Sequence, residues 1–414
     1  MPFTDLGLSP ELLRAVAEAE YTTPTPVQAA AIPPILGGRD VRGCAQTGSG
    51  KTAAYALPML QRLLAGRTVA SDRRVSALVI VPTRELAMQI GEAFRGFSRY
   101  LPQPIKVLTV FGGVSVNPQM MALRGGADVV VATPGRLLDL ADHNAVQLGN
   151  VGTLVLDEAD RLLDEGFADE LTRVLALLPD RRQNLLFSAT FPPAVQSLAE
   201  LLLRDPVRID VTDAVDGTPD IQQRSIAVDP ERRTQLLRHL IQHHGWERTL
   251  VFVATKYATE HITMKLERLG IAAPALHGEL SQGARTWALA EFKAGRVQVL
   301  IATDVAARGI DVIDLPAVVN FDLPRSTADY VHRIGRTGRA GARGVAVSFV
   351  SAASEGHFRL IEKRNRFRLE RERVPGFEPT AMAPAPAHAG TGGIKGARKS
   401  KKDKLREAAK RSSQ

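Results

Sequence analysis

Ala45-Gln46-Thr47-Gly48-Ser49-Gly50-Lys51-Thr52 follows a short apolar run and precedes a helix-compatible stretch. The pattern is a phosphate-binding loop, with Ala45 where the usual GxxxxGK[ST] spacing has its first glycine. Gly48 and Gly50 let the backbone curl until successive N–H groups face one anion, at a helix N-terminus that favours negative charge. Lys51 supplies a point charge for β- and γ-phosphates, and the Thr52 hydroxyl can ligate Mg²⁺. A strand that feeds a helix through such a loop belongs to an α/β sheet.

Outward from the loop, short Val/Ile/Leu-rich runs alternate with helix-length amphipathic stretches. In the first half the runs are 74–81, 106–111, 128–132, 152–156 and 183–187; in the second they are 224–228, 248–253, 297–301, 317–321 and 344–350. Apolar runs without period-two alternation, each followed by a helical pattern, predict parallel sheets covered on both faces. A chain of 414 residues suits two such domains, each burying its own core. The polar stretch Arg204–Asp220, with Pro206, Gly217 and Pro219, reads as a short strand followed by a linker. The expected domains are residues 1–208 and 221–375, with a linker over 209–220. A tail over 376–414 is expected to be disordered from about Ala381, because its Ala/Pro/Gly-rich and then Lys/Arg-rich sequence cannot bury enough apolar surface to order itself.

The chain carries 53 Lys+Arg against 44 Asp+Glu. Residues 381–414 hold nine Lys/Arg and two Asp/Glu, so this tail supplies +7 of the +9 net charge and the body is nearly balanced. A basic tail on a near-neutral body suggests an auxiliary grip on a polyanion, or a solubilising end. One cysteine, Cys44, excludes an internal disulfide and a multi-cysteine zinc site. No apolar run approaches a membrane span and the N-terminal residues lack a signal-peptide pattern, so a cytoplasmic protein is expected.

Leu154-Val155-Leu156 delivers Asp157-Glu158-Ala159-Asp160 at a strand's C-terminal tip, where α/β sheets place their ligands. A carboxylate there can hold Mg²⁺ through water, and its neighbour can orient or deprotonate an attacking water. An isolated acidic quartet is usually a solvated helix start; downstream of a phosphate loop, it points to an NTPase.

With these residues the chain resembles the DEAD-box RNA helicase family over about residues 1–375. Tyr21–Gln28 (YTTPTPVQ), with Phe3 upstream, looks like the Q motif, although Glu20 stands where glycine is commoner. Pro82–Ala87 (PTRELA), Gly112-Gly113, Thr133-Pro134-Gly135-Arg136, the acidic quartet and Ser188-Ala189-Thr190 follow in the family's order. Val251–Val253, Gln282–Arg285 (QGAR), Ala302–Asp311 (ATDVAARGID), Phe321–Pro324 (FDLP) and His332–Arg339 (HRIGRTGR) continue it in the second half. Finer features look most like the bacterial RhlE-type subgroup.

The resemblance implies two RecA-like domains, open when empty and closed by ATP and RNA together. It implies that Gln28, whose amide offers a donor and an acceptor, meets adenine, with Tyr21 stacking on the base and Phe3 supporting the loop or simply packing in the core. Gln46, Thr47, Gly48, Ser49, Gly50, Lys51 and Thr52 would hold the phosphates, and Gly309 and Asp311 the ribose. Lys51, Asp157 and Glu158 are the expected catalytic residues of the first domain, with Mg²⁺ on Thr52 and Asp157. The second domain has no GxxxxGK[ST]; after its strand 250–253 come Ala254-Thr255-Lys256-Tyr257 instead. One nucleotide site would then serve both domains, with Arg336 and Arg339 as arginine fingers, unless that basic run is a phosphate-backbone patch. Asp160, Ser188, Thr190 and His332 are the expected coupling residues; a plain turn at the strand end is the alternative for Ser188 and Thr190.

RNA, structured or duplex and with little sequence preference, would lie across Pro82, Thr83, Arg84, Gly112, Gly113, Thr133, Pro134, Gly135 and Arg136 of the first domain. In the second it would meet Arg285, Thr303 and Arg308, although Arg308 could equally bridge the domains. The activity so implied is RNA-stimulated ATP hydrolysis with local duplex unwinding by a monomer, in ribosome assembly or RNA turnover and with ribosome precursors or RNA-decay proteins as partners. An ATP-gated RNA clamp and a related DNA helicase are the rivals. His143, His239, His243, His244 and His277 have no metal-ligand context, Cys44 reads as a small buried hydrophobe, and Trp246 and Trp287 are core or partner contacts.

Overall fold

The computed structural model describes residues 1–46, 48–66, 74–164, 166–211, 221–307, 312, 314–338 and 343–380. Thr47, Arg308, Gly309, Asp311, Arg339, most of the expected linker and the tail from 381 lie outside them. Domain 1 is built on β1 (Val41–Cys44), β2 (Ala77–Ile80), β3 (Val107–Val110), β4 (Val129–Ala132), β5 (Thr153–Leu156), β6 (Gln183–Ser188) and β7 (Val207–Asp210). They form one parallel sheet in the order β3-β4-β2-β5-β6-β1-β7. Domain 2 is built on β8 (Ile221–Ala227), β9 (Thr249–Val253), β10 (Ala275–Leu276), β11 (Val299–Thr303), β12 (Ala317–Asn320), β13 (Gly344–Val350) and β14 (Arg371–Glu372). Its order is β10-β11-β9-β12-β13-β8-β14, again all parallel. Subtracting seven from each label recovers the first sheet, so domain 2 repeats domain 1 strand for strand.

Each sheet is buried on both faces, which is why its strands read as unbroken apolar runs. Along β2, Ala77 and Val79 enter the core shared with Phe94 and Tyr55, while Leu78 and Ile80 enter the core shared with Leu137 and Val174. Along β9, Val251 and Val253 join one core, and Leu250 and Phe252 the other. Among the described residues, no helix is long and apolar enough to cross a membrane.

The expected boundaries shift at both domains' ends. β7 pairs with β1 through Asp210, so domain 1 runs past residue 208. The folded body also continues past residue 375: Phe377 packs 5.3 Å from His239 under Arg232, and the Thr380 amide and hydroxyl both donate to Asp229, at 2.7 and 2.8 Å. One aromatic and one buried acceptor suffice to dock these residues. The sequence reading contained no strand at β10 or β14. The first has two residues, and the second is the dipeptide Arg371-Glu372, held by ion pairs to Glu355, Glu362 and Arg224 and not by apolar burial.

Candidate active site and nucleic-acid edge

Helix Lys51–Ala65 begins on Gly50 at φ +91°, and Gly48 stands at +86°. Both conformations favour glycine, and a Cβ on Gly50 would lie 2.4 Å from the Gln28 amide nitrogen. That nitrogen donates to the Gly50 carbonyl at 3.2 Å, while Gln28 Oε1 accepts the Thr25 N–H at 2.9 Å. Gln28 therefore fastens its own helix start to the phosphate loop, keeping one N–H and one lone pair for a further partner. Tyr21 is 42 % exposed and lies edge-on to Phe97 with ring centroids 6.2 Å apart, whereas Phe3 is buried in the domain-1 core. The Lys51 ammonium donates to the Ala45 carbonyl at 2.8 Å, and Ser49 caps back to the Gln46 carbonyl. Cys44, half-buried, lies against the Ala189 carbonyl, with burial pushing its thiol up.

Asp157 and Glu158 sit at the tip of β5. Glu158 has φ +52°, a left-handed conformation that is costly for a side chain, and it turns the chain from strand to helix in one residue. Its N–H donates to Asp157 Oδ1 at 2.9 Å, and the Tyr55 hydroxyl donates to Oδ2 at 3.0 Å. Burial pushes the Asp157 carboxyl up; the Lys51 ammonium pulls it back down and Glu158 adds to the rise. A buried carboxylate facing one lysine and a second carboxylate suits a divalent cation, and with Thr52 at the loop the donor set fits Mg²⁺. Tyr55 escaped the sequence reading, although it lies four residues after Lys51, on the same helix face.

Asp160 holds the next layer. Its Oδ2 accepts the Thr190 hydroxyl at 2.8 Å and the Thr190 N–H at 3.1 Å. The Ser188 hydroxyl accepts the Asp160 N–H at 3.2 Å and donates to the Thr190 carbonyl at 2.7 Å. The tips of β5 and β6 are thus tied through one carboxylate and two hydroxyls.

Across the cleft stand His332, Arg333 and Arg336. Arg333 is 2 % exposed and bidentate to Asp304 at 2.6 and 2.7 Å, with further bonds to Asn320 and the Asp322 carbonyl, so it braces domain 2. Arg336 and His332 line a small cleft with Arg161 of domain 1. Arg161, directly after the acidic quartet, reaches Asp329 at 2.8 Å, both side chains largely buried. Neither partner was singled out from sequence; a basic residue following the quartet was the only signal.

The expected RNA residues gather at the tips of β2, β3 and β4. Thr83 caps helix Arg84–Phe97 by accepting the Leu86 N–H, and the Arg84 guanidinium lies so close over Gly113 that a Cβ there would meet it at 2.0 Å. Arg136 donates to the Val114 carbonyl at 2.8 Å, so Arg84 and Arg136 flank the Gly112–Val114 turn. Thr133 precedes Pro134 and Gly135 at the start of helix Pro134–Asp142. Thr303 ends β11, half-exposed. Arg285 is placed otherwise than expected: it pairs with Glu85 of domain 1 at 2.8 Å, both side chains 5 % exposed, and donates to the His277 carbonyl. A buried guanidinium requires such a carboxylate, and the pair ties the domains instead of facing solvent. Trp246 is buried and Trp287 is 56 % exposed.

The comparisons agree with this geometry. Residues 25–198 match the DEAD/DEAH box helicase family, and residues 232–341 the helicase conserved C-terminal domain. The chain is 43 % identical over 376 residues to the ATP-dependent RNA helicase DeaD of Mycobacterium tuberculosis, covering 91 % of this chain and 65 % of that one. It is 39 % identical over 373 residues to the DEAD-box ATP-dependent RNA helicase CshA of Bacillus cereus, covering 90 % of this chain and 70 % of that one. The structure of S. cerevisiae Dbp5 bound to RNA and ADP BeF3 superposes with a TM-score of 0.78 at 33 % identity, over 90 % of this chain and 95 % of the other. These relatives carry the names DeaD and CshA, so the assignment stops above the RhlE-type subgroup. The chain belongs to the DEAD-box ATP-dependent RNA helicase family.

Proposed function

We propose that this chain is an RNA-stimulated ATP hydrolase that couples domain closure to local separation of RNA duplexes and remodelling of RNA–protein complexes. The observation that carries the proposal is the Arg161–Asp329 pair. It joins the residue after the acidic quartet to the helix that leads into His332 and Arg336, so closure brings the two halves of one phosphate site together. Gln28 and Tyr21 receive adenine, the 46–52 loop receives the phosphates, and Glu158 accepts the proton of the attacking water. Thr52 and Asp157 would hold Mg²⁺, whose positive charge would help to neutralise the phosphates. Arg336, together with Arg339, offsets the charge that develops on the transferred phosphoryl group. Asp160, Thr190 and Ser188 link the site to the domain interface, and Gly309 and Asp311 hold the ribose.

On the opposite half of both sheets, hydroxyls, glycine amides and arginines take RNA phosphates and 2′-hydroxyls. Closing the cleft bends one strand, and a short duplex comes apart. The basic tail adds a sequence-independent grip. A monomer acting in the cytoplasm, in ribosome assembly or RNA turnover, is the setting we infer. The test is strand displacement of a short RNA duplex measured beside ATP hydrolysis, with and without RNA. Hydrolysis stimulated by RNA and by no DNA of the same sequence, together with displacement, supports the proposal. Stimulated hydrolysis without displacement would make the protein an ATP-gated clamp, and stimulation by DNA alone would reject RNA as substrate.

A further inference from the structure

The strand-for-strand repeat assigns every loop of domain 1 a counterpart in domain 2. β9 matches β2, so Ala254-Thr255-Lys256-Tyr257 is the counterpart of Pro82-Thr83-Arg84-Glu85. The local structures agree. Thr255 accepts the Ala258 N–H at 3.1 Å as Thr83 accepts the Leu86 N–H at 3.3 Å, and in each case a cation opens the helix. The fourth position differs. Glu85 is buried against Arg285, whereas Tyr257 is 71 % exposed.

Tyr257 stands at the outer end of a connected edge. Glu85 contacts Gln282 and Arg285, at the start of helix Gln282–Lys293. The loop just before that helix carries Glu279, which ion-pairs with Lys256 beside Tyr257. The Tyr257 ring lies parallel to that of His261, one turn on, with centroids 5.8 Å apart and planes 11° apart. A single exposed aromatic is ordinary. A flat aromatic pair beside a lysine, at a strand tip continuous with a phosphate-binding edge, has the composition of a base platform.

We propose that Tyr257, backed by His261, stacks a nucleobase of the bound RNA strand where it runs along domain 2. The proposal rests on the RNA reading above and extends it from backbone to base. Stacking tolerates any base, so it adds affinity without sequence preference.

The experiment uses the full chain with ADP·BeF3 and a fluorescent single-stranded RNA decamer, beside the same strand with abasic riboses. Tyr257→Ala should weaken binding of the ordinary strand about tenfold and Tyr257→Phe by less than about twofold. On the abasic strand wild type and Tyr257→Ala should bind alike. Against salt, Tyr257→Ala should displace the line of log Kd on log concentration without changing its slope, since no phosphate contact is lost. An unchanged affinity for the ordinary strand, or an equal loss on the abasic one, overturns the platform and leaves the RNA reading standing. If wild type binds neither strand, the RNA reading falls, and the platform with it.

Discussion

At the tip of β1 the chain passes through Gly48 and Gly50 into Lys51; at the tip of β8, the strand holding the same place in the second sheet, it passes through Val228, Asp229 and Pro230. Asp229 anchors Thr380 there, a structural task. The tip of β5 carries Asp157 and Glu158, while its counterpart, the tip of β12, carries Asp322, bonded to Arg233 and the Ala254 N–H. On this half of the sheets, topology is repeated and chemistry is not. On the other half, Thr83-Arg84 and Thr255-Lys256 repeat both. An asymmetric half suits one nucleotide gripped from two sides, and the repeated threonine–cation loop suits a strand whose phosphates recur at even spacing.

The comparison breaks first at Arg336, which we propose is the cation that domain 2 contributes in place of a phosphate loop. Arg336→Ala should lower the maximal rate of RNA-stimulated hydrolysis roughly a thousandfold while changing ATP affinity far less. A large affinity loss at an unchanged maximal rate would assign it to ground-state phosphate binding. Glu158→Gln should lower turnover by about two to three orders of magnitude with ATP and RNA binding retained, because an amide cannot accept the water's proton. Near-wild-type turnover would remove Glu158 as the base.

Closure is tested by exchanging the ends of one ion pair. Arg161→Asp and Asp329→Arg should each depress RNA-stimulated hydrolysis roughly tenfold by setting two like charges against each other in a largely buried place, and the double variant should recover part of the loss. Additive losses would mean that the pair does not couple the domains. Tyr55→Phe removes one of the hydrogen bonds that fix Asp157 and should reduce kcat only severalfold, with the KM for ATP little changed. Deleting 381–414 should have the smallest effect on the body: an unaltered melting temperature, and a shallower dependence of log RNA affinity on log salt. Identical slopes would deny the tail its grip on RNA.

Much of this was legible in the sequence, because buried parallel strands must be apolar and phosphate loops need glycine at fixed places. Gly50 illustrates the point: its φ of +91° strains any other residue, and a Cβ there would displace the Gln28 amide from its bond to the loop. The contacts between domains were not legible. Glu85 and Arg285 each sit in a recognisable motif, yet nothing local says that one faces the other across 200 residues of chain. Register between the repeats was equally hidden: Ala254–Tyr257 was set beside the phosphate loop, and only the strand order shows that β8 holds that place. β14 escaped because charge pairing, not hydrophobicity, holds it.

We propose that the two domains close only when both ligands are bound. With one fluorophore on each domain of the full chain, energy transfer is read with no ligand, with ADP·BeF3, with RNA, and with both. The high-transfer state is expected only when both are present, and is expected to be lost in Arg161→Asp. Full closure by either ligand alone, or no change with the two together, would contradict it.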